Sequence, residues 1–225
     1  MAAEHGDPKD QGETRARVLD VAERLFAERG FDAVSLRHIT AEAGVNVAAV
    51  NYHFGSKDKL IFEVMARRIE PVNARRLAML DEAEAAAGDG ILEVETILEA
   101  LYWPLASELS EGSSRREISL MLMGRCMGEA NPHVSTMIVE EFREVRERFM
   151  AALGRSFPGR VSPELELKFF FSVGVLIHTL RQADRLPAFL GTRERDMPDL
   201  ESLMRAIIAY AAAGFRADFK LGLSK

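Results

Sequence analysis

The sequence contains a single cysteine, Cys126, among its 225 residues. One thiol excludes an internal disulfide framework and any zinc site built from several cysteines, and this favours a reducing compartment. The simplest interpretation of Cys126 itself is a small core residue. We therefore expect a cytoplasmic protein whose stability comes from its apolar core.

Long hydrophobic runs and an export signal are also missing. The longest apolar stretches, residues 169–177 and 206–215, are shorter than the roughly 20 residues that a helix needs to cross a bilayer. Residues 1–13 are polar and acidic, where a secretory signal would have a basic start and an apolar centre. We expect neither export nor a membrane partner.

Positive charge is scarce. The chain has 29 lysines and arginines against 35 aspartates and glutamates, a net charge of −6 at pH 7. Because non-specific affinity for nucleic acid comes mainly from Lys and Arg neutralising phosphates, this balance argues against indiscriminate binding. Any DNA-binding function must depend on local geometry, with modest non-specific affinity.

Catalytic and metal-binding patterns are absent from the sequence. It has no Gly-rich phosphate loop, no Gly-x-Ser-x-Gly elbow and no His-Glu-x-x-His pair, and its five histidines are not spaced as metal ligands. We therefore predict no cofactor, no metal site and no enzymatic activity. The rival function from another class is a small-molecule enzyme or carrier.

The pattern that is present is helical. Apolar residues recur at helical spacing through most of the chain, with neither an alternating strand-length run nor an internal repeat. Residues 1–13 have almost no apolar content and predict a disordered tail, so Thr14 is expected to begin the first helix. Gly30 suits a left-handed cap at its end. The prediction is an all-α fold.

Two short helices follow the first. Ser35 is a good N-cap for a helix over residues 36–43, and the apolar pattern resumes at Val47 after only three residues, 44–46. A break of that length allows little but a tight turn between two helices. The sequence therefore predicts an N-terminal three-helix helix-turn-helix domain, residues 14–70.

A larger helical domain is predicted over residues 71–225. Ser56 suits the N-cap of a long helix, which Pro71 is expected to kink or restart near the domain boundary. Further helices are predicted at about residues 91–110, 115–130, 132–155, 163–186 and 199–220.

The second short helix has an outward face suited to a DNA major groove. Val50 and Phe54 are its inward positions. The outward set is small or polar and comprises Val47, Ala48, Ala49, Asn51 and Tyr52. Small residues allow close approach to bases, Asn can hydrogen-bond an adenine edge, and methyl groups can contact thymine.

Residues 14–69 closely resemble the DNA-binding domain of the TetR family. The resemblance is carried above all by Ser35-Leu36-Arg37 and by the run from Ala43 to Leu60, whose Tyr-His-Phe-x-Ser-Lys-x-x-Leu ending is highly specific. Residues 45–57 and 212–217 are in addition similar to the PsrA-like branch, which responds to fatty acids.

The resemblance implies which residues bind DNA. Positions that match the base-facing part of the recognition helix are Asn46, Val47, Ala48, Ala49 and Asn51. Arg37 matches a position that reaches a base or phosphate, and the positions that match phosphate-clamping residues are Tyr52, His53 and Lys57.

Each of these positions has a structural alternative. Tyr52 could cover the turn, Asn51 could be solvated, and His53 could pack against the first helix. Lys57 could pair with Asp58 or Glu63 on the surface.

Specific affinity generally requires two half-sites, so we expect a homodimer on a palindromic double-stranded DNA operator. The last two long helices are apolar on more than one face, and the resemblance implies that they form a four-helix bundle across the two-fold axis. The predicted dimerisation residues are Phe169, Val173, Ile177, Ile207, Ala211 and Gly214. The alternative is that these helices form only the core of one protomer.

A methionine-rich segment in the middle of the chain suits a flexible apolar ligand. The predicted ligand-binding residues are Trp103, Met121, Arg125 and Met137. Arg125 either anchors a ligand carboxylate or pairs with Glu129 four residues on.

Residues 71–225 are accordingly expected to sense a ligand and to dimerise. The expected function is a repressor released from its operator by a small hydrophobic effector such as a fatty acid or acyl-CoA. The alternative is a dimeric helical interaction module, or a small-molecule-binding protein, without ligand-controlled DNA release.

Overall fold

The computed structural model describes residues 8–110, 117–122, 132–160, 162–193 and 197–218. The regular structure of these residues is helical, without strands, as predicted. The helices are α1 (Pro8–Arg29), α2 (Leu36–Ala43), α3 (Val47–Phe54), α4 (Lys57–Ala87), α5 (Val94–Ser110), α6 (117–122), α7 (Pro132–Glu141), α8 (Arg143–Ser156), α9 (Ser162–Gln182), α10 (Leu186–Leu190) and α11 (Leu200–Arg216). None of them has both the length and the apolar composition needed to cross a membrane.

Contacts divide the chain into two compact units. The first unit holds the residues up to Pro71 together with residues 111–141, and the second holds Val72–Ser110 and everything from Phe142 onward. The sequence also places a boundary at this proline, but it groups α6 and α7 with the C-terminal domain. Since α4 is continuous through Pro71, one helix contributes residues to both units.

The first helix begins earlier than predicted. It starts at Pro8 rather than at Thr14, so the expectation of a disordered tail is wrong for residues 8–13. Proline is favourable at the first helical position, where an N–H has no intrahelical partner, and Lys, Gln and Glu have good helix propensity. The low apolar content of residues 8–13 therefore did not prevent them from forming the start of α1, whose buried apolar residues lie farther along the helix. Residues 1–7 of the predicted tail lie outside the described residues.

The first unit has an apolar core shared by its N-terminal helices. Its buried side chains include Val18, Ala22, Leu25 and Phe26 of α1, Ile39 and Ala43 of α2, Val50 and Phe54 of α3, and Leu60, Ile61 and Val64 of α4. Gly30 ends α1 in the left-handed region with φ 89°, as predicted. Its N–H donates to the carbonyl oxygen of Phe26 at 2.9 Å.

Two caps determine the turn between α2 and α3. Gly44 has φ 64° and ψ 36°, a left-handed conformation that favours glycine, and the Val45 N–H donates to the Thr40 carbonyl at 3.0 Å. Asn46 then caps α3, because its Oδ1 accepts a hydrogen bond from the Ala49 N–H at 2.7 Å. The direction in which α3 leaves α2 is set by these local bonds.

The second unit is built around α11. This helix packs against α5 and α9, and α8 packs against the same two helices. Its inward face consists of Met204, Ile207, Ile208, Ala211, Ala212 and Phe215. Asp199 caps its start, because the Asp199 Oδ1 accepts from the Ser202 N–H at 2.8 Å.

The helix predicted over residues 132–155 is two helices. Phe142, at φ −91° and ψ −1°, lies outside the helical minimum and separates α7 from α8. The buried residues Ile138 and Val145 lie seven positions apart, a spacing that also fits one continuous helix. Periodicity therefore could not detect this break.

The helix predicted over residues 163–186 ends at Gln182. A 3-10 turn, Ala183–Arg185, and the short helix α10 follow it. Pro187 lies in the first turn of α10, where proline is tolerated, so the chain restarts a helix instead of continuing α9.

The cap on α3 makes a direct prediction. Asn46→Ala should lower the free energy of unfolding by about 1 kcal/mol, because the Ala49 N–H loses its acceptor. Asn46→Ser keeps a side-chain acceptor and should stay within a few tenths of a kcal/mol of the parent. Urea denaturation at one fixed protein concentration measures both. Equal stability of the two variants would show that the cap is not a stabilising contact.

Candidate nucleic-acid interface

The exposed face of α3 consists of small and polar side chains, with the aromatic ring of Tyr52 projecting from it. Val50 and Phe54 are buried, as predicted from the sequence. Of the predicted outward residues, the structure exposes Val47, Ala48, Asn51 and Tyr52 and leaves Ala49 half-buried. The Tyr52 side chain is 75% exposed, so it does not serve as a cover for the turn.

The buried end of α3 is held in place by a residue of α1 that is also joined to α4. The Arg15 guanidinium of α1 lies 5.5 Å from the centroid of the Phe54 ring. Arg15 also forms an ion pair with Glu63 of α4. Phe54 therefore anchors α3 beside a link between α1 and α4, which resists rotation of α3 about its own axis.

The start of α2 is closed by a reciprocal cap. The Ser35 Oγ accepts from the His38 N–H at 3.2 Å, and the His38 Nδ1 accepts from the Ser35 N–H at 3.4 Å. Histidine here takes the place that Glu or Gln usually has in such a capping box. Arg37 lies in this first turn, exposed and without an ion pair to the residues that the structure describes.

The start of α4 lies directly after α3. Ser56 caps it, as predicted, since its Oγ accepts from the Lys59 N–H at 3.2 Å. Lys57 is the first residue of α4 and is half-buried. It does not form the surface pair with Glu63 that the sequence left open, because Glu63 pairs with Arg15. A helix N-terminus with a lysine beside it suits a phosphate group.

Tyr52 and His53 form an aromatic pair at the end of α3. Their ring centroids are 5.2 Å apart with the planes at 77°, an edge-to-face arrangement. His53 is half-buried, so its contact with Tyr52 limits the directions in which the phenol can point.

Ion pairs neutralise many of the acidic side chains of the first unit. Arginines of α1 and α4 take part in all of the following pairs: Arg15–Glu63, Arg24–Glu42, Arg67–Asp20 and Arg68–Glu23. Arg37 and Lys57 have no such partner among the described residues, so positive charge stays available on both sides of α3. Sequence reasoning missed this, because most of these partners lie more than forty positions apart in the chain.

Asn46 has a structural role that sequence reasoning also missed. Its Oδ1 is engaged with the Ala49 N–H, which leaves its amide N–H groups for any other contact. The sequence could have indicated this role, since Asn immediately before a helix is among the best N-cap residues.

The predicted ligand residues are divided between the two units. Trp103 is half-buried in the second unit, whereas Met121, exposed, and Met137, half-buried, belong to the first. Arg125 lies outside the described residues. An open groove of about 840 Å³ between α1 and α4 includes Met137 in its lining but neither Trp103 nor Met121.

The predicted dimerisation residues divide into two groups. Ile207 and Ala211 are only 4% and 6% exposed and face the core of their own unit. Phe169, Val173, Ile177 and Gly214 are half-buried. The exposed aromatic residues of the same two helices are instead Phe170, Phe171 and Tyr210. Because both helices are apolar on several faces, the sequence pattern did not indicate which face points inward.

Comparisons with known proteins agree with this geometry. Residues 18–64 match the N-terminal model for bacterial regulatory proteins of the tetR family, and residues 99–214 match the tetracyclin repressor-like C-terminal domain. The HTH-type transcriptional regulator UidR of Escherichia coli (strain K12) is 27% identical over 154 residues, which are 68% of this chain and 71% of UidR.

Two further relatives are similar over different lengths. The HTH-type transcriptional repressor Rv3405c of Mycobacterium tuberculosis is 45% identical over 58 residues, 26% of this chain and 31% of that protein. SmeT, solved in complex with triclosan, shares the fold with a TM-score of 0.61 at 21% identity, over 89% of this chain and 90% of SmeT. Since family models match both the N-terminal and the C-terminal part of the chain, it belongs to the TetR family of DNA-binding transcriptional regulators.

Proposed function

We propose that this regulator is a homodimeric repressor that reads a two-fold symmetric operator with α3 and leaves it when a small hydrophobic effector binds. The observation that carries the DNA-reading part is the exposed face of α3, held in place by the buried Val50 and Phe54. Arg37 and Lys57 flank that face with positive charge.

Base recognition is assigned to the N-terminal half of α3. The exposed methyl groups of Val47 and Ala48 suit contact with thymine, and the exposed Asn51 amide can pair with an adenine edge. Asn46 contributes an amide N–H while its oxygen caps the helix. Ala49, half-buried, has the smallest part in this surface.

Phosphate contacts are assigned to the residues around this helix. Lys57 and the first N–H groups of α4 offer one anion site, and Tyr52 and His53 offer hydrogen-bond donors at the end of α3. Arg37 supplies a charge on the opposite side. These contacts set the position of the protein on the duplex but do not read its sequence.

Substitutions at Asn51 and Lys57 should separate reading from positioning. Asn51→Ala should relax discrimination at one base pair of each half-site, at a cost of about 1–3 kcal/mol on the preferred site. Lys57→Ala should weaken all duplexes alike and reduce the salt slope of log K by about 1 for each site contacted. Fluorescence anisotropy with DNA from upstream of the gene measures both.

Arg205→Ala is the control, since Arg205 is an exposed cation on α11 in the second unit. It should retain the parent salt slope. If Asn51→Ala lowered affinity equally for every duplex, base reading by α3 would be wrong.

Dimerisation is assigned to the outer faces of α9 and α11. Phe170 is 72% exposed and Tyr210 is 69% exposed, and Ala206, Ala209 and Ala213 are also exposed on α11. Large apolar side chains on a surface mark an interaction site when they cluster, and small residues allow two helices to approach closely. The surface proposed here therefore does not include the buried Ile207 and Ala211.

A charge on this face should prevent assembly. Phe170→Glu should shift the protein from dimer to monomer at micromolar concentration, because it would bury an unpaired carboxylate between subunits. Sedimentation velocity measures the change. Val139→Glu is the control, since Val139 is a comparably exposed apolar residue in the first unit. A Phe170→Glu dimer as tight as the parent would place the interface elsewhere.

The effector part of the proposal is supported by relatives. SmeT has been solved with triclosan, and Rv3405c is named a repressor. The similarity to the PsrA-like branch favours a fatty acid or acyl-CoA as the effector. Trp103, Met121, Arg125 and Met137 remain the predicted ligand contacts. Whatever the ligand, it can release DNA only by binding the DNA-free state more tightly than the DNA-bound state.

Operator release tests this part directly. Addition of the correct fatty acid or acyl-CoA should lower operator affinity by about tenfold or more, the size of a typical allosteric coupling. Anisotropy titrations of one operator with and without each compound measure it. Unchanged affinity at saturating concentrations of a bound compound would reject release by it and favour an interaction module that no ligand controls.

A further inference from the structure

Arg76 on α4 is a buried cation with no carboxylate beside it. Its side chain lies in the second unit and the residue is 7% exposed. The Nε donates to the Leu101 carbonyl oxygen at 2.8 Å and the Nη1 donates to the Asn73 Oδ1 at 3.0 Å. The Phe142 ring centroid lies 5.8 Å from the guanidinium carbon. No acidic side chain of the described residues is within ion-pair distance of it.

Other buried or half-buried cations of the second unit are compensated. Lys168 lies 2.7 Å from a Glu164 carboxylate oxygen, and Arg160 lies 2.8 Å from the same oxygen. A buried charge is strongly unfavourable unless it is paired and hydrogen-bonded. Burial lowers the pKa of Arg76 to about 10, with no neighbouring acid to oppose the shift. At neutral pH Arg76 therefore remains charged, without an ion-pair partner in the part of the chain that the structure describes.

The two hydrogen bonds that Arg76 donates do not by themselves require a charged side chain. Pro104 lies inside α5 and has no N–H, so the carbonyl that loses its intrahelical donor is that of Ala100. Arg76 donates to the next carbonyl, that of Leu101. A neutral amide side chain could donate the same bond without bringing a charge into the interior.

The remaining donors of Arg76 suit a carboxylate. The two hydrogen bonds use two of the five N–H groups of a guanidinium, and a planar carboxylate can accept two parallel bonds from the others. The apolar Phe142 ring covers one side of the group, and Trp103, a predicted ligand residue, lies two positions after Leu101 on α5.

We infer that Arg76 is the anchor for the carboxylate head of an otherwise apolar effector. This assignment rests on the proposed function, and it gives Arg76 the role that the sequence suggested for Arg125. It also places the anchor on α4, the helix whose first residue, Lys57, belongs to the candidate DNA interface.

The test compares acids with neutral molecules of the same length. Octanoate, decanoate, dodecanoate and palmitate are each titrated against the full-length protein beside the matching primary alcohol. The fluorescence of Trp103, the single tryptophan, and the shift in melting temperature report binding. At least one acid should bind about tenfold to a hundredfold more tightly than its alcohol, the size expected of a charge-assisted hydrogen bond.

Substitution of Arg76 should remove this preference. Arg76→Met should bind the acid and the alcohol equally, whereas Arg75→Met should keep the parent preference. Arg75 is the matched control because it is the neighbouring residue on α4, is exposed and pairs with Glu82. The ligand-free melting temperature of each variant shows whether it remains folded, since Arg76→Met also removes the donors to the Leu101 carbonyl and the Asn73 Oδ1. If Arg76→Met does not fold, Arg76→Lys, which keeps the charge but not the planar fork, should show a reduced preference.

Three results would overturn the anchor: no acid that binds more tightly than its alcohol, a folded Arg76→Met that keeps the preference, or an Arg75→Met that loses it equally. Failure of the release mechanism gives a distinguishable result. Acids that bind through Arg76 but leave operator affinity unchanged would reject ligand-induced release and support Arg76 as the anchor. Alcohols that release DNA as well as the acids do would support release and reject Arg76 as the anchor.

Discussion

The burial of Val50 and Phe54 is the constraint on which the proposed DNA-reading surface depends. Successive residues of an α-helix are rotated by about 100°, so the two inward side chains determine which others point outward. Arg15 packs against Phe54 and joins α1 to α4 through Glu63. The small residues and the exposed Tyr52 therefore form one surface because the opposite side of α3 cannot leave the core without a large loss of apolar burial.

The distribution of charged side chains leaves positive groups beside this surface although the protein is acidic overall. Arginines of α1 and α4 engage acidic residues of the first unit, while Arg37 and Lys57 keep their charges beside α3. A net charge of −6 therefore limits non-specific attraction to DNA without removing the local positive groups. This charge distribution favours DNA binding that depends on complementary shape and hydrogen bonds at the interface.

Features encoded by neighbouring residues could be predicted from the sequence. The end of α1 at Gly30, the caps at Ser35 and Ser56, and the inward positions of α3 each depend on a few consecutive residues. Features that depend on distant contacts could not. The grouping of α6 and α7 with the N-terminal helices and the inward orientation of Ile207 are set by packing partners far away in the chain. The pairing of acidic residues with arginines, and the absence of an acidic partner for Arg76 among the described residues, are of the same kind.

The central claim is that two copies of the α3 surface read DNA as a symmetric pair. Selection of duplexes from a random pool by the purified full-length protein, followed by sequencing, tests it most directly. The account predicts enrichment of two inverted copies of one half-site, with centres separated by about one or more duplex turns of roughly 34 Å. Recovery of no common sequence, or of a single half-site without its inverted copy, would contradict it.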